Sequence, residues 1–205
     1  MEKKRIAVLV SGGGTNLQAL FDAQESKKIA GGEIVLVIAS NSKAYAIERA
    51  KAHNVPAVVV SKKKYPNPED FDSAMLAALK EYRVDLVVLA GYLSFVGDKV
   101  TKEYDHRMLN IHPSLIPSFC GKGFYGLKVH EAALAYGVKV TGATVHFVNG
   151  VYDGGQIVLQ KAVEILPGDT PEVLQRRVME QAEWQILPQA VEMFCRGEIG
   201  PEMGS

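Results

Sequence analysis

The sequence predicts an α/β fold: an open, mostly parallel, twisted sheet of about seven strands with helices on both faces. Three observations predict it. Short apolar runs such as Leu86-Val-Val-Leu-Ala90 alternate with longer amphipathic segments, the pattern of parallel βαβ units. The runs of the first half are continuous, as strands covered on both faces require. Past residue 107 two longer runs alternate apolar and polar residues, which fits half-exposed or antiparallel strands added to the parallel sheet.

In chain order, Arg5 to Val10 reads as a buried strand that ends in glycines. Thr15 to Lys28 reads as a helix, with Leu17, Leu20, Phe21 and Ile29 at helical spacing. A strand over Glu33 to Ala39, a helix over Ala44 to Asn54 and a strand over Ala57 to Val60 follow. Pro68 to Tyr82 is helical, with Phe71, Met75, Leu76 and Leu79 on one face, and Asp85 to Ala90 is the fourth strand. Met108 to Ile111 is a short strand running into Pro113, and Leu127 to Tyr136 a helix. Lys139 to Val148 and Gln156 to Ile165 are two longer strands that flank a turn. Thr170 to Cys195 reads as one terminal helix, with Pro171 early in it. Residues 1–200 read as a single domain, Rossmann-like in its N-terminal half, with 201–205 a disordered tail. In such sheets ligands bind beyond the carboxyl ends of the strands. The segments Ser11 to Asn16 and Gly91 to Val96 lie there.

Apolar residues make up 47% of the 205, enough for a sizeable core, and 23 basic residues balance 23 acidic ones. That balance argues against a nucleic-acid or membrane-surface binder. Two separated cysteines, Cys120 and Cys195, form no disulfide framework or zinc motif, and the N-terminus lacks the apolar core of a signal peptide. A cytoplasmic, metal-free protein is expected, a monomer or homodimer.

Ser11-Gly-Gly-Gly-Thr-Asn16 joins the first strand to the first helix. Glycines let a ligand approach the backbone, and a helix N-terminus offers free N–H groups and a positive dipole end. Thr15 and Asn16 add side-chain donors, so a phosphate monoester fits. The loop lacks the lysine of a Walker loop and the third glycine of a dinucleotide fingerprint. The alternative reading is a tight turn with Thr15 as N-cap.

Asn110-Ile-His112-Pro-Ser follows a strand-like run, and Asp153 lies in the turn Val151-Tyr-Asp-Gly-Gly155. Two residues apart on an extended segment, Asn110 and His112 face the same side. Each of the three has an ordinary structural reading by itself. Together, an amide that donates to an oxyanion, an imidazole acid–base and a carboxylate that tunes it make a set for acyl-group transfer. His146, inside a strand, His130, inside a helix, and the surface-like His53 and His106 are weaker candidates. Cys120 reads as a packed or loop thiol rather than a nucleophile.

Asn110-Ile-His-Pro-Ser-Leu-Ile-Pro117, Val145-His-Phe-Val148 and Asp153-Gly-Gly resemble the signature of folate-dependent formyltransferases. Val10-Ser-Gly-Gly-Gly-Thr-Asn-Leu-Gln18 resembles the phosphoribosylglycinamide branch of that family. The resemblance runs from about Arg5 to Gly197. It implies transfer of the formyl group of 10-formyltetrahydrofolate, as co-substrate, to the glycyl amine of glycinamide ribonucleotide through a tetrahedral intermediate. It makes Asn110 and His112 the oxyanion stabilisers and Asp153 the partner of His112. Gly14, Thr15 and Asn16 take the phosphate, and Glu183 the sugar or glycinamide part. Leu93, Ser94, Phe95, Val96, Asn149 and Gly150, with Asn110 and Asp153, line the folate side. Residues 1–106 then form the phosphate-binding half and 107–200 the catalytic and folate half. Ser94 stands where relatives often carry an arginine and Pro68 where another basic contact is common; Lys62, Lys63 or Lys64 could substitute. Cys120-Gly-Lys-Gly-Phe-Tyr-Gly126 reads as a flap near the site.

Overall fold

The computed structural model describes residues 2–201; the expectation of a disordered tail falls, from residue 202 on, outside the described residues. Seven strands form one sheet in the order β3-β2-β1-β4-β5-β6-β7. They are β1 (Lys4–Val10), β2 (Gly32–Ala39), β3 (Ala57–Val59), β4 (Leu86–Leu89), β5 (Met108–His112), β6 (Val140–Phe147) and β7 (Ile157–Glu164). The first five run parallel, and β6 and β7 are antiparallel additions. The strand order reverses between β1 and β4, so a crevice opens beyond their carboxyl ends.

Successive residues of the central strands feed opposite cores. Ile6, Val8 and Val10 pack with Leu17, Leu20 and Phe21 of α1 (Thr15–Glu25), Ala46 and Ala50 of α2 (Ala46–Ala52), and the C-terminal helices. Ala7 and Leu9 face the other way, toward Phe71, Met75 and Leu79 of α3 (Pro68–Glu81) and Val100 of α4 (Asp98–Glu103). This two-sided burial explains the unbroken apolar runs. α3 starts where local chemistry says it should: Asn67 Oδ1 accepts from the Glu69 N–H at 2.8 Å, and Pro68 opens the first turn.

Helix α4 was not legible. Its cap comes from α3, where the Asp72 carboxylate accepts from the N–H groups of Gly97 (2.8 Å) and Lys99 (2.9 Å). α5 (Leu127–Tyr136) matches its predicted span. The predicted terminal helix is three pieces: α6 (Pro171–Val178), a π-helical turn over Met179–Glu183, and α7 (Trp184–Cys195). Pro188 lies inside α7 and has no N–H to give the preceding turn. β6 and β7 were expected to be half-exposed or antiparallel; they are antiparallel, and β6 is buried from Thr141 to Phe147. One of its faces meets the 114–116 segment, where Thr144 Oγ1 donates to the Ser114 carbonyl (2.7 Å) and accepts from the Ile116 N–H (3.1 Å). The exposure falls on the edge strand β7 instead. No helix among the described residues is long and apolar enough to cross a membrane.

Candidate active site

The pleat of β5 turns Asn110 and His112 to one side, and the turn after β6 brings Asp153 back over them. Asn110 Nδ2 lies 3.4 Å from Asp153 Oδ1, and His112 Nδ1 lies 3.6 Å from Asp153 Oδ2. The three expected residues therefore meet. Asp153 sits in the left-handed region at φ 51°, which side chains other than glycine rarely adopt, although Asp tolerates it better than most. A Cβ at Gly155 would stand 1.7 Å from the Phe147 carbonyl oxygen, so that position accepts only glycine.

His146 belongs to the group and was passed over in the sequence. It is paired with Asn110 across β5 and β6, and its Nε2 lies 3.0 Å from Asn110 Nδ2. Its Nδ1 is 2.8 Å from the Phe147 carbonyl, which can only accept, so Nδ1 carries the proton and Nε2 accepts from Asn110. One Asn110 N–H is thus anchored; the other makes only the long contact to Asp153 and is the one free to turn to a substrate oxygen. The signal lay in a strand register that joins residues 36 apart, which no local pattern reveals.

His112 is fixed the same way. Its Nε2 donates to the Phe119 carbonyl at 2.9 Å, leaving Nδ1 toward Asp153. The Gly121 N–H donates to Asp153 Oδ2 at 2.7 Å. The glycine-rich segment 119–126 therefore holds both residues, and Phe119 takes a left-handed backbone (φ 50°) to do it. Burial pulls the His112 imidazole below its usual 6.5, and the Asp153 charge and the Phe119 carbonyl offset this only in part. Burial pushes Asp153 up, but the charge of a protonated His112 and the Gly121 N–H outweigh it, leaving the carboxyl below its usual range. His146 Nε2, which accepts from Asn110 and lies 3.6 Å from Asp153, has no proton to give the carboxylate. The two partners imply different His112 charges. Because the ring is almost wholly buried, the neutral imidazole facing a carboxylate is the resting state at neutral pH. His130, fully buried on α5, has neither ring nitrogen bonded, and burial and His112 lower it to about 4.

A shallow, half-open cleft with a cavity volume of about 90 Å³ lies beside the group, lined by Tyr92, Leu93, Ser94, Phe95 and Val96 on one side and Asn149, Val151, Tyr152 and Asp153 on the other. Asn110 and His146 form its floor, and the Phe95 and Tyr152 rings stand 5.2 Å apart. Gly150 lies in the same turn but is not among the lining residues, and no basic side chain is. Lys64 turns to the Tyr65 ring, 5.3 Å away. A larger groove between α1 and α7 carries none of the Asn110, His112 and Asp153 group.

Gly14 occupies the N-cap position of α1 at φ 71°, with no side-chain cap, so Thr15 is the first helical residue rather than the cap. A Cβ at Gly14 would meet Ala46 Cβ at 2.7 Å. One hydrogen of Asn16 Nδ2 is committed to Glu183 Oε2 at 2.7 Å, across 167 residues, which leaves the second hydrogen of the amide as a donor. Its Oδ1 is buried without a partner. The π-helical turn ends at Glu183; such widened turns recur at functional sites. Burial raises the Glu183 carboxyl to about 7, although the Asn16 N–H lowers it. Among the described residues no cluster of three or more His, Cys, Asp or Glu side chains could hold a metal ion.

The profile of the family described as formyl transferase matches residues 4–191. The chain is 41% identical over 196 residues to a phosphoribosylglycinamide formyltransferase of Haemophilus influenzae, covering 96% of this chain and 89% of that one. It is 37% identical to a chloroplastic phosphoribosylglycinamide formyltransferase of Arabidopsis thaliana, covering 96% of this chain and 67% of that one. It is 40% identical to the trifunctional purine biosynthetic protein adenosine-3 of Homo sapiens, over 97% of this chain but only 19% of the human protein. Among solved structures it superposes on glycinamide ribonucleotide transformylase 1 of Symbiobacterium toebii with a TM-score of 0.89 and 44% identity, covering 95% and 89% of the two chains. The chain belongs to the formyl transferase family.

Proposed function

We propose that this chain is a phosphoribosylglycinamide formyltransferase, which moves the formyl group of 10-formyltetrahydrofolate to the glycyl amine of glycinamide ribonucleotide in purine biosynthesis. The observation that carries this reading is the convergence of Asn110, His112 and Asp153, with Asn110 and Asp153 lining the cleft between Leu93–Val96 and Asn149–Asp153 and His112 packed behind Asp153. The folate occupies that cleft. The ribonucleotide lies with its phosphate on the N–H groups of Gly14 and Thr15 and its sugar or glycinamide part against Asn16 and Glu183.

The amine nitrogen attacks the formyl carbon, and the carbonyl π pair moves to oxygen. The unanchored Asn110 N–H turns to that oxyanion, and preorganised donors of this kind are worth roughly 10²–10³ in rate. His112 takes the proton of the attacking nitrogen on Nδ1, the ring position facing Asp153. The imidazolium then meets a carboxylate already ionised, which stabilises it where a resting positive charge would be costly. The proton passes to folate N10 as the C–N bond breaks. The products are the formamide and tetrahydrofolate, and no redox change occurs.

The test mixes protein, glycinamide ribonucleotide and 10-formyltetrahydrofolate and follows tetrahydrofolate release and formamide formation. Stoichiometric appearance of both supports the transfer. Tetrahydrofolate without the formamide makes water the acceptor and the chain a hydrolase. Binding of both ligands without turnover makes it a binder.

A further inference from the structure

The glycine loop is clamped along one side. The Ser11 carbonyl accepts from Asn41 Nδ2 (3.0 Å), the Gly12 carbonyl from the Ala46 N–H (3.1 Å) and the Gly13 carbonyl from Arg49 Nε (2.8 Å). Within a planar trans peptide, the C=O and the following N–H point in opposite directions. Three consecutive carbonyls drawn toward the 41–49 segment therefore turn the N–H groups of Gly12, Gly13 and Gly14 away from it. That leaves a row of donors on the opposite side, leading into the N-terminus of α1, where an anion is favoured. Asn16 Oδ1, nine-tenths buried and without a partner, adds an unmet acceptor beside it that fits a substrate hydroxyl or amine.

Two of the three clamps are neutral. The third is a cation, in a stretch where Val10 to Gln18 supplies no Lys or Arg. Arg49 is held at three points. Nε is on Gly13, Nη1 is 3.1 Å from Gln18 Oε1, and the guanidinium carbon is 5.2 Å from the Tyr45 ring centre. Its Cδ would come within 3.3 Å of a Cβ on Gly14, so the charge lies against the loop. None of the salt bridges among the described residues engages it. Resting on the reading that the loop holds the substrate phosphate, we propose that Arg49 is a positioning residue for that phosphate: it aims the Gly14 N–H through the Gly13 carbonyl and supplies the fixed positive charge that the loop itself lacks. Lysine cannot replace it fully, because an ammonium does not reproduce the fork that spans Gly13 and Gln18.

The experiment uses the full chain labelled with ¹⁵N and titrated with inorganic phosphate. In the wild type, the amides of Gly12 to Asn16 shift on addition. Absence of those shifts overturns the loop reading itself, whatever Arg49 does. Given the shifts, Arg49→Met raises the phosphate Kd about tenfold or more, and Arg49→Lys falls between it and the wild type. An unchanged Kd in Arg49→Met overturns the role of Arg49 and leaves the loop reading standing. Steady-state assays separate positioning from a general structural defect. With glycinamide ribonucleotide, Arg49→Met raises KM and leaves kcat within about twofold; with the dephosphorylated ribonucleoside, the variant and wild type have the same kcat/KM. An equal loss on both substrates means Arg49 serves only the fold and overturns the proposal.

Discussion

Asn110 and His146 face each other across β5 and β6, with the amide donating to an imidazole whose other nitrogen is tied to its own strand at Phe147. The pair fixes which way the Asn110 amide points, and hence where its second N–H can go. His146→Leu removes the anchor and leaves the half-buried amide only its long contact to Asp153. Turnover is expected to fall about 10- to 100-fold, with the KM for the ribonucleotide nearly unchanged, because only a transition-state contact is misplaced. Steady-state kinetics check this; wild-type kcat would show that Asn110 needs no anchor.

Asp153→Asn keeps the shape of the turn and removes its charge. Turnover is expected to fall by about 10²–10⁴. The His112 imidazole gives a second readout. Asp153 is the largest influence holding its pKa up against burial, so the variant titrates at lower pH than the already lowered wild-type value. NMR titration of the His112 ring, assigned by a His112→Gln variant, measures the direction. A rise would mean that the two side chains are not coupled as their 3.6 Å separation implies.

Much of this was legible in the sequence because it rests on short-range patterns. The βαβ alternation, the start of α3 at Pro68, the span of α5 and the proximity of Asn110 to His112 all follow from residues close in the chain. The parts that were not legible depend on distant partners. α4 owes its start to Asp72 on another helix, and β6 is covered by the 114–116 segment. His146 gains its role from a strand register across 36 residues. The π-helical turn at Met179–Glu183 leaves the apolar spacing helical, so the segment reads as one continuous helix, yet it ends on the residue that meets Asn16.

Asn16 shows what that meeting implies. One of its two amide hydrogens is spent on Glu183, so its effect on the substrate runs through the other, through Oδ1 and through the posture of the carboxylate. Asn16→Ala is expected to raise the ribonucleotide KM about tenfold. It should also cost about 1–3 kcal/mol of stability at pH 8, where it strands a buried charge. In a double-mutant cycle with Glu183→Ala, which removes the acceptor, the two changes should not add, since they disrupt one contact. Additive losses in KM and in urea midpoint would show that the two residues act separately.

Glu183 itself makes stability depend on pH. Its folded-state value of about 7 lies above the 4.5 of an unperturbed glutamate, so the folded chain holds a proton that the unfolded chain releases. Stability rises with pH wherever the unfolded state binds more protons. Here the folded state binds more, and the contribution runs the other way. It is fully present below about 4.5 and is lost as pH climbs through 7. The loss is on the order of 3 kcal/mol for a buried group shifted this far. Asp153, whose value is depressed, acts in a separate window, contributing stability that is lost as pH falls through the acid range. Glu183→Gln is neutral at every pH and keeps an oxygen that accepts from Asn16. Urea unfolding from pH 4.5 to 8.5 should therefore give a falling stability for the wild type and a flatter profile for the variant, with the two converging at the acid end. Parallel profiles would mean that Glu183 is ionised in the folded protein throughout, and that Asn16, the only side chain bonded to it among the described residues, compensates fully for its burial.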